Sequence, residues 1–72
     1  MILNTVIEKD EDGYFAYVPS LSGCVSQGNT YEEALFNIKE ASELYLDSMS
    51  SANIEKISAK NSIIAPIEIY AT

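Results

Sequence analysis

The side chains that could do chemistry in this sequence are mostly carboxylates. Eleven aspartates and glutamates stand against four lysines, and the chain contains neither histidine nor arginine. Three of the acids are adjacent, in Asp10-Glu11-Asp12, a run that would suit a calcium loop. The ligand spacing of an EF-hand and its closing glutamate are absent, however. We therefore expect a solvated turn here, and neither a metal nor a cofactor.

The other reactive residue types give little support to catalysis. Without histidine the chain has no Ser-His or Cys-His pair and no ordinary zinc site. Its one cysteine, Cys24, follows Gly23 with no lysine nearby in sequence, so packing explains it better than nucleophilic attack. The five tyrosines could stack on bases, but the charge balance favours core and interface packing. The sequence predicts that this protein is not an enzyme.

The net charge of −7 narrows the classes of partner. Such a chain is repelled by phosphate, so we expect no direct binding to nucleic acid or to an anionic membrane. A basic protein partner would suit it, but on charge alone the simpler explanation, that the acidity keeps a small domain soluble, is preferred. No signal peptide pattern opens the chain, and no apolar run approaches the roughly 20 residues of a membrane helix. With one unpaired cysteine, these features predict a cytoplasmic protein.

A capping box opens the one strong helix pattern. Thr30 can accept the backbone N–H of Glu33, whose carboxylate can reach back to the N–H of Thr30. Apolar residues then recur at helical spacing, which predicts a helix from Tyr31 to Met49 with one apolar stripe. The stripe contains Leu35, Ile38, Tyr45 and Met49, with Ala34, Ala41 and Leu44 beside it.

Strand patterns, rich in β-branched and aromatic residues, lie on both sides of this helix. They cover Ile2–Glu8, Tyr14–Val18, Cys24–Gln27 and Ser62–Tyr70. Asp12-Gly13 indicates a hairpin between the first two strands. Pro66 has no N–H to donate, so it assigns the last strand to an edge or a bulge. Residues Asn53 to Asn61 are expected to be a connector.

The element order β-β-β-α-β predicts an α+β domain with a mostly antiparallel four-stranded sheet and one long helix on one face. The last strand would return by a right-handed crossover, beside the first strand and parallel to it. We expect a single domain over residues 1–72. A chain this short buries only roughly 60% of its unfolded surface, and the second sheet face keeps apolar residues. A homo-oligomer, either a dimer or a tetramer, is therefore expected.

An ordered set of residues extends from the first hairpin into the helix. It is Asp12-Gly13-Tyr14-Phe15-Ala16-Tyr17-Val18-Pro19-x-Leu21-x-Gly23-Cys24, then Gly28-x-Thr30-x-Glu32-Glu33-Ala34, then Asn37-Ile38-Lys39-Glu40-Ala41. From about Ile2 to Tyr45, the chain resembles the prokaryotic HicB antitoxin family. Ser22 and Asn29 depart mildly from the family pattern, which has a proline and an acidic residue at these positions.

The resemblance implies a partial, catalytically inert RNase H-like fold of the order β-β-β-α-β. RNase H chemistry needs a metal-binding carboxylate on the first strand, whose interior here offers only Asn4. HicB-like proteins neutralise HicA, a small basic toxin that cleaves mRNA with a histidine, by covering its RNA surface and active site. Full-length members also carry a DNA-binding domain at the carboxyl end. This chain ends after the fourth predicted strand, so we expect no such domain.

The predicted contacts with a basic toxin are the acidic turn Asp10, Glu11 and Asp12 and the helix carboxylate Glu32. The alternative is a stand-alone oligomeric HicB-like protein with a different partner or an unknown function. A remote third possibility is a metal-dependent nuclease that uses Asp10 or Glu40.

Overall fold

A computed structural model describes residues 1–60 and 63–70. It contains three strands and two helices: β1 (Val6–Asp10), β2 (Gly13–Tyr17), β3 (Val25–Gly28), α1 (Tyr31–Asp47) and α2 (Ser51–Ser58). The strands form one antiparallel sheet in the order β1-β2-β3. Helix α1 packs on one face of this sheet, mainly against β3 and β2. The predicted α+β class, with an antiparallel meander below a long helix, is confirmed for this part of the chain.

The β1–β2 hairpin forms where the Asp-Gly signal predicts it. Asp10 pairs with Gly13 at the end of the ladder, and the Asp10 Oδ1 atom accepts the backbone N–H of Asp12 at 2.8 Å. Gly13 has a φ of +132°, a conformation that side chains with a Cβ rarely adopt. The hairpin thus brings Asp10 and Asp12 to its tip.

Helix α1 begins at its predicted cap and ends two residues before the predicted Met49. The Thr30 Oγ1 atom accepts the backbone N–H of Glu33 at 3.1 Å. At the other end, Ser48 donates its backbone N–H and its hydroxyl to the Tyr45 carbonyl, at 3.3 and 2.8 Å. Ser48 closes the last turn in this way, so the regular helix stops at Asp47.

The core between the sheet and α1 is small. Its buried residues are Ala16, Val18, Leu21, Cys24, Ala34 and Ile38, and its half-buried neighbours include Ile7, Tyr14, Ala41, Tyr45 and Met49. Leu21, the apolar residue of the β2–β3 loop, is 1% exposed and fills the end of this core. With so few large buried side chains, the stability of the domain depends strongly on each of them.

The predicted stripe of α1 is wrong at its margins. Leu35 is 42% exposed and Leu44 is 71% exposed, whereas Ser42 is buried among the apolar residues. The centre of the contact with the sheet is the row Ala34, Ile38 and Ser42, spaced four residues apart. Ser42 tolerates burial because its hydroxyl donates to the Ile38 carbonyl at 2.7 Å.

Strand β1 begins at Val6, four residues after the predicted start at Ile2. Val6 pairs with Tyr17, the last residue of β2. The residues before Val6 extend past the end of β2 and, among the described residues, belong to no ladder. Of the alternating residues Leu3, Thr5 and Ile7, only Ile7 therefore has a partner in a described ladder.

The region after α1 differs most from the prediction. The connector predicted from Asn53 to Asn61 is helical over most of its length, because α2 covers Ser51–Ser58; Asn61 itself lies outside the described residues. The first turn of α2 is capped by Ser50, which accepts the N–H of Asn53 at 3.3 Å. Ile57 on this helix packs on the edge of the core. Ser62, where the predicted fourth strand begins, lies outside the described residues. Residues 63–70 carry no strand, so a four-stranded sheet is not formed within the described residues of one chain.

No helix among residues 1–60 and 63–70 is long and apolar enough to cross a membrane.

Candidate functional site

The tip of the β1–β2 hairpin and the first turns of α1 border one polar depression, with a volume of about 740 Å³. Its lining includes three carboxylates and three side-chain amides: Asp10, Asp12, Glu33, Gln27, Asn29 and Asn37. We call this surface the acidic depression. The described residues that line it include no lysine, so the carboxylates are not neutralised from within the depression.

Close packing of β3 against α1 shapes the floor of the acidic depression. A Cβ on Gly28 would lie 2.5 Å from the backbone nitrogen of Ala34 and 2.9 Å from the carbonyl carbon of Glu33. The Asn37 side chain adds a hydrogen bond across the same contact, donating from Nδ2 to the Gln27 carbonyl at 2.8 Å. Glycine at position 28 thus allows the helix start to come within reach of the hairpin tip.

The structure separates the four residues predicted to bind a partner. Asp10 and Asp12 both line the acidic depression, whereas Glu11 is exposed in the turn between them and is not part of the lining. Glu32 lies on another side of α1, beside an apolar groove. The helix residue beside the two aspartates is instead Glu33, which sequence reasoning treated only as part of the capping box.

The acidic depression offers acceptors to a donor-rich ligand. Ionised carboxylates only accept hydrogen bonds, and they pair most strongly with the guanidinium of arginine or the ammonium of lysine. Within residues 1–60 and 63–70, no group of three or more acidic or cysteine side chains is arranged to hold a metal ion. The carboxylates of the acidic depression are suited, as acceptors, to basic side chains.

A second candidate surface is the sheet face opposite α1, which we call the outer sheet face. Ala16 is buried under the helix, so its neighbours Phe15 and Tyr17 project to the other side. Their rings lie 6.1 Å apart, and Tyr17 is paired with Val6 on one side and Val25 on the other. Phe15 is 39% exposed and Val25 is 50% exposed, which makes this an apolar face open to solvent.

The third surface is an apolar groove of about 710 Å³ between α1 and the stretch that precedes β1. Met1, Leu3 and Thr5 form one wall, and residues of α1 that include Leu35, Phe36 and Leu46 form the other. We call it the edge groove, because it lies next to β1, which is at one edge of the sheet, and its lining includes no residue of β2 or β3.

Cys24 lies in none of these surfaces. It is 4% exposed, and its Sγ atom is 3.6 Å from the Oγ atom of Ser42. Since the single hydroxyl proton of Ser42 goes to the Ile38 carbonyl, the thiol is the donor of this contact. The geometry agrees with the packing role predicted for Cys24.

A sequence model described as "HicB_like antitoxin of bacterial toxin-antitoxin system" matches residues 3–69 of the chain. The chain belongs to this HicB-like antitoxin family. The match extends past the region of the sequence resemblance and includes α2 and most of residues 63–70. The predicted family is confirmed, and with it a general role in toxin–antitoxin systems.

The HicB-like chain also has similar relatives in several groups of organisms. It is 65% identical over 69 residues to a UPF0150 protein of Helicobacter pylori strain J99, and the match covers 96% of each chain. It is 50% identical over 62 residues to a UPF0150 protein of Thermoplasma acidophilum, covering 85% of this chain and 88% of the relative. An uncharacterized 14.9 kDa protein of Haemophilus phage HP1 is 39% identical over 70 residues, which are 97% of this chain but 49% of the phage protein. No solved structure gives a significant match.

Proposed function

We propose that this HicB-like chain is an antitoxin that binds a small basic toxin of the HicA type and covers the surface with which the toxin cleaves mRNA. The observation that carries the proposal is the family match over residues 3–69. The two proteins would meet in the cytoplasm, where the mRNA is. In this proposal the antitoxin, an inert RNase H-like unit, has no catalytic activity and binds no nucleic acid itself.

The acidic depression supports a basic partner. Asp10, Asp12 and Glu33 converge there, and the chain as a whole carries a net charge of −7. Complementary charge accelerates encounter and fixes the orientation of two proteins. A basic surface that binds RNA phosphates would also be attracted to these carboxylates, so the antitoxin would compete directly with the substrate.

The proposed contact set keeps the hairpin acids and extends them to the helix. Asp10, Glu11 and Asp12 remain proposed contacts, and Glu33 joins them because it shares their depression. Glu32 borders the edge groove, so it would contact only a partner that extends around the start of α1.

The partner can be identified by isolating the tagged protein from its own cells and measuring the masses of the proteins that accompany it. We expect a small basic protein that contains histidine. Recovery of the tagged chain alone, under conditions that preserve weak complexes, would contradict the antitoxin proposal.

The contact surface can be tested with two variants of equal charge. Asp10→Asn, Glu11→Gln and Asp12→Asn together reduce the net charge from −7 to −4, and asparagine at position 10 keeps an oxygen for the Asp12 N–H. The matched control combines Glu40→Gln, Asp47→Asn and Glu55→Gln, three exposed acids outside the acidic depression.

We expect the hairpin variant to bind the recovered toxin more slowly and with a weaker salt dependence than the control, as measured by surface plasmon resonance over a range of ionic strengths. If the two variants associate at the same rate, net charge alone drives the encounter and the hairpin is not the contact.

The exposed apolar surfaces favour a second candidate function. The outer sheet face leaves Phe15 and Val25 partly exposed, and exposed apolar patches mark surfaces that contact another protein, which includes a second copy of the same chain. A stand-alone oligomeric HicB-like protein with another partner would explain this feature. It predicts recovery of a discrete homo-oligomer without a toxin in the isolation experiment.

A further inference from the structure

Residues 63–70 form an apolar segment that makes little contact with the rest of the chain. Ile63, Ile64, Ile67, Ile69 and Tyr70 are each between 63% and 88% exposed. Glu68 is the one charged residue of the segment, in a chain that is 21% charged overall. We call residues 63–70 the tail. Exposed apolar runs of this kind are energetically unfavourable in water and mark surfaces that bind another protein surface.

The tail has the side-chain pattern of a strand. Ile63, Ala65, Ile67 and Ile69 alternate with other residues, so an extended tail would carry them on one face. Pro66 has no N–H to donate, which is compatible with a strand at the edge of a sheet. The pattern is that of an edge strand, although the single chain has no ladder for it among the described residues.

The edge groove has the complementary form. Phe36 and Leu35 on α1 line one wall of the groove, and they are 62% and 42% exposed. Strand β1, which follows the other wall, is an edge strand of the sheet among the described residues. The opposite wall includes Leu3 and Thr5, whose side chains are two residues apart, as on one face of a strand. Both residues precede Val6, where the pairing with β2 begins. A strand placed in the groove would therefore extend the ladder of β1 towards the amino terminus and cover the exposed side of α1.

The dimensions of the tail and the groove agree. An extended strand of eight residues is about 26 Å long. The wall formed by α1 extends from Glu32 to Leu46, which corresponds to about 21 Å along a helix axis. The tail is long enough to fill the groove from end to end.

The tail does not lie in the groove of its own chain. The chain has a radius of gyration of 14.1 Å and a longest dimension of 46 Å, whereas a compact chain of this length has a radius of gyration of about 11 Å. The tail is thus held away from the core, with its isoleucines exposed, at the end of a chain whose own core is small. Two copies that exchange their tails would cover both grooves and both tails in one closed assembly.

We propose that the tail of a second copy of this chain lies in the edge groove and pairs with residues 2–6 as a fourth strand, and that the exchange is reciprocal. The side chains of Ile63, Ile67 and Ile69 enter the groove below α1. Ile64 lies on the opposite face of the tail, away from the groove. The inference concerns self-assembly and does not depend on the toxin.

Two variants test which face of the tail is buried. Ile67→Glu and Ile64→Glu remove the same side chain and add the same charge, three residues apart, to sites that are both exposed in the single chain. Because a carboxylate buried in an apolar groove is strongly unfavourable, Ile67→Glu should weaken dimerisation on the order of a hundredfold, whereas Ile64→Glu should leave it nearly unchanged. Sedimentation equilibrium measures both constants. A monomeric parent chain, or equal effects of the two variants, would overturn the proposal.

A crosslinking experiment distinguishes exchange from closure within one chain. The variant with both Phe36→Cys and Ile67→Cys is treated with a short bis-maleimide and analysed by mass spectrometry, with the parent chain, whose Cys24 is buried, as the control. Exchange predicts covalent dimers. A covalently closed monomer would assign the groove to the tail of the same chain. Crosslinks that form only after a toxin is added, or no crosslinks at all, would also contradict exchange.

Discussion

Gly28 provides a sharp test of how β3 and α1 position the acidic depression. Alanine at this site would place its Cβ 2.5 Å from the Ala34 nitrogen, 2.9 Å from the Glu33 carbonyl carbon and 3.0 Å from the Ala34 Cα atom. All three are backbone atoms of a capped helix turn, so no flexible side chain can move aside. Gly28 is absent from the residues with positive φ, so the expected strain is a steric clash between the strand and the helix.

The expected loss of stability follows from that clash. Relieving it requires β3 and α1 to separate, and overpacking of this kind typically costs about 1 to 3 kcal/mol. The smaller entropy of the unfolded alanine chain offsets about 0.4 to 1 kcal/mol of the cost. The central values of the two effects leave a net loss of about 1.3 kcal/mol. A domain of 72 residues has a total stability of about 4 to 11 kcal/mol, so Gly28→Ala should lower Tm by roughly 5 to 10 °C.

Gly23→Ala is the matched control, because a Cβ there would have no atom within 4 Å, and only the φ of +78° opposes it. Thermal and urea unfolding should be measured at equal protein concentration, since self-association would otherwise shift both transitions. Gly28→Ala should also weaken toxin binding more than Gly23→Ala does, because only Gly28 borders the acidic depression. A Gly28→Ala protein as stable as the parent would refute the close packing described for β3 and α1.

Two further predictions concern the cap of α1 and the buried thiol. Thr30→Ala removes the acceptor of the Glu33 N–H and should cost about 1 kcal/mol in urea unfolding, while Thr30→Ser should restore most of that loss; equal stability of the two variants would contradict the capping role. Cys24 is 4% exposed, so a thiol reagent should modify it slowly in the native protein and rapidly in urea. Rapid modification of the native protein, at the rate of a small free thiol, would show that Cys24 is not packed as described.

The features that sequence reasoning predicted correctly depend on short-range signals. The hairpin follows from Asp12-Gly13, and the start of α1 follows from the oxygen of Thr30 three residues before Glu33. Each signal acts within one turn of the chain, so it can be recognised without knowledge of the fold. The three strands of the meander are predicted for the same reason.

The features that were missed depend on what lies next to them in space. The start of β1 is set by where β2 ends, at Tyr17. The strand predicted from Ser62 to Tyr70 forms no ladder over residues 63–70 with the described strands of the same chain. The sequence signal for helix α2 is weak, because it consists only of a serine cap and two isoleucines. A stretch with so few helix features is easily predicted as a loop. Glu32 was predicted for the candidate site, but Glu33 is the residue that lines it. Which of the two faces the hairpin depends on how α1 is rotated about its axis over the sheet, and no local pattern determines that rotation.

The order of the contacts in the sheet also has a consequence for the rate at which the molecule forms. Each strand of the meander pairs with the next in sequence, and α1 packs mainly on the strand that immediately precedes it. Such a low contact order favours fast, unimolecular folding of residues 6–47. Pairing of the tail with another chain would come afterwards and would depend on concentration. Refolding followed at several protein concentrations should then show a first phase that is independent of concentration and a second that accelerates as the chains become more abundant.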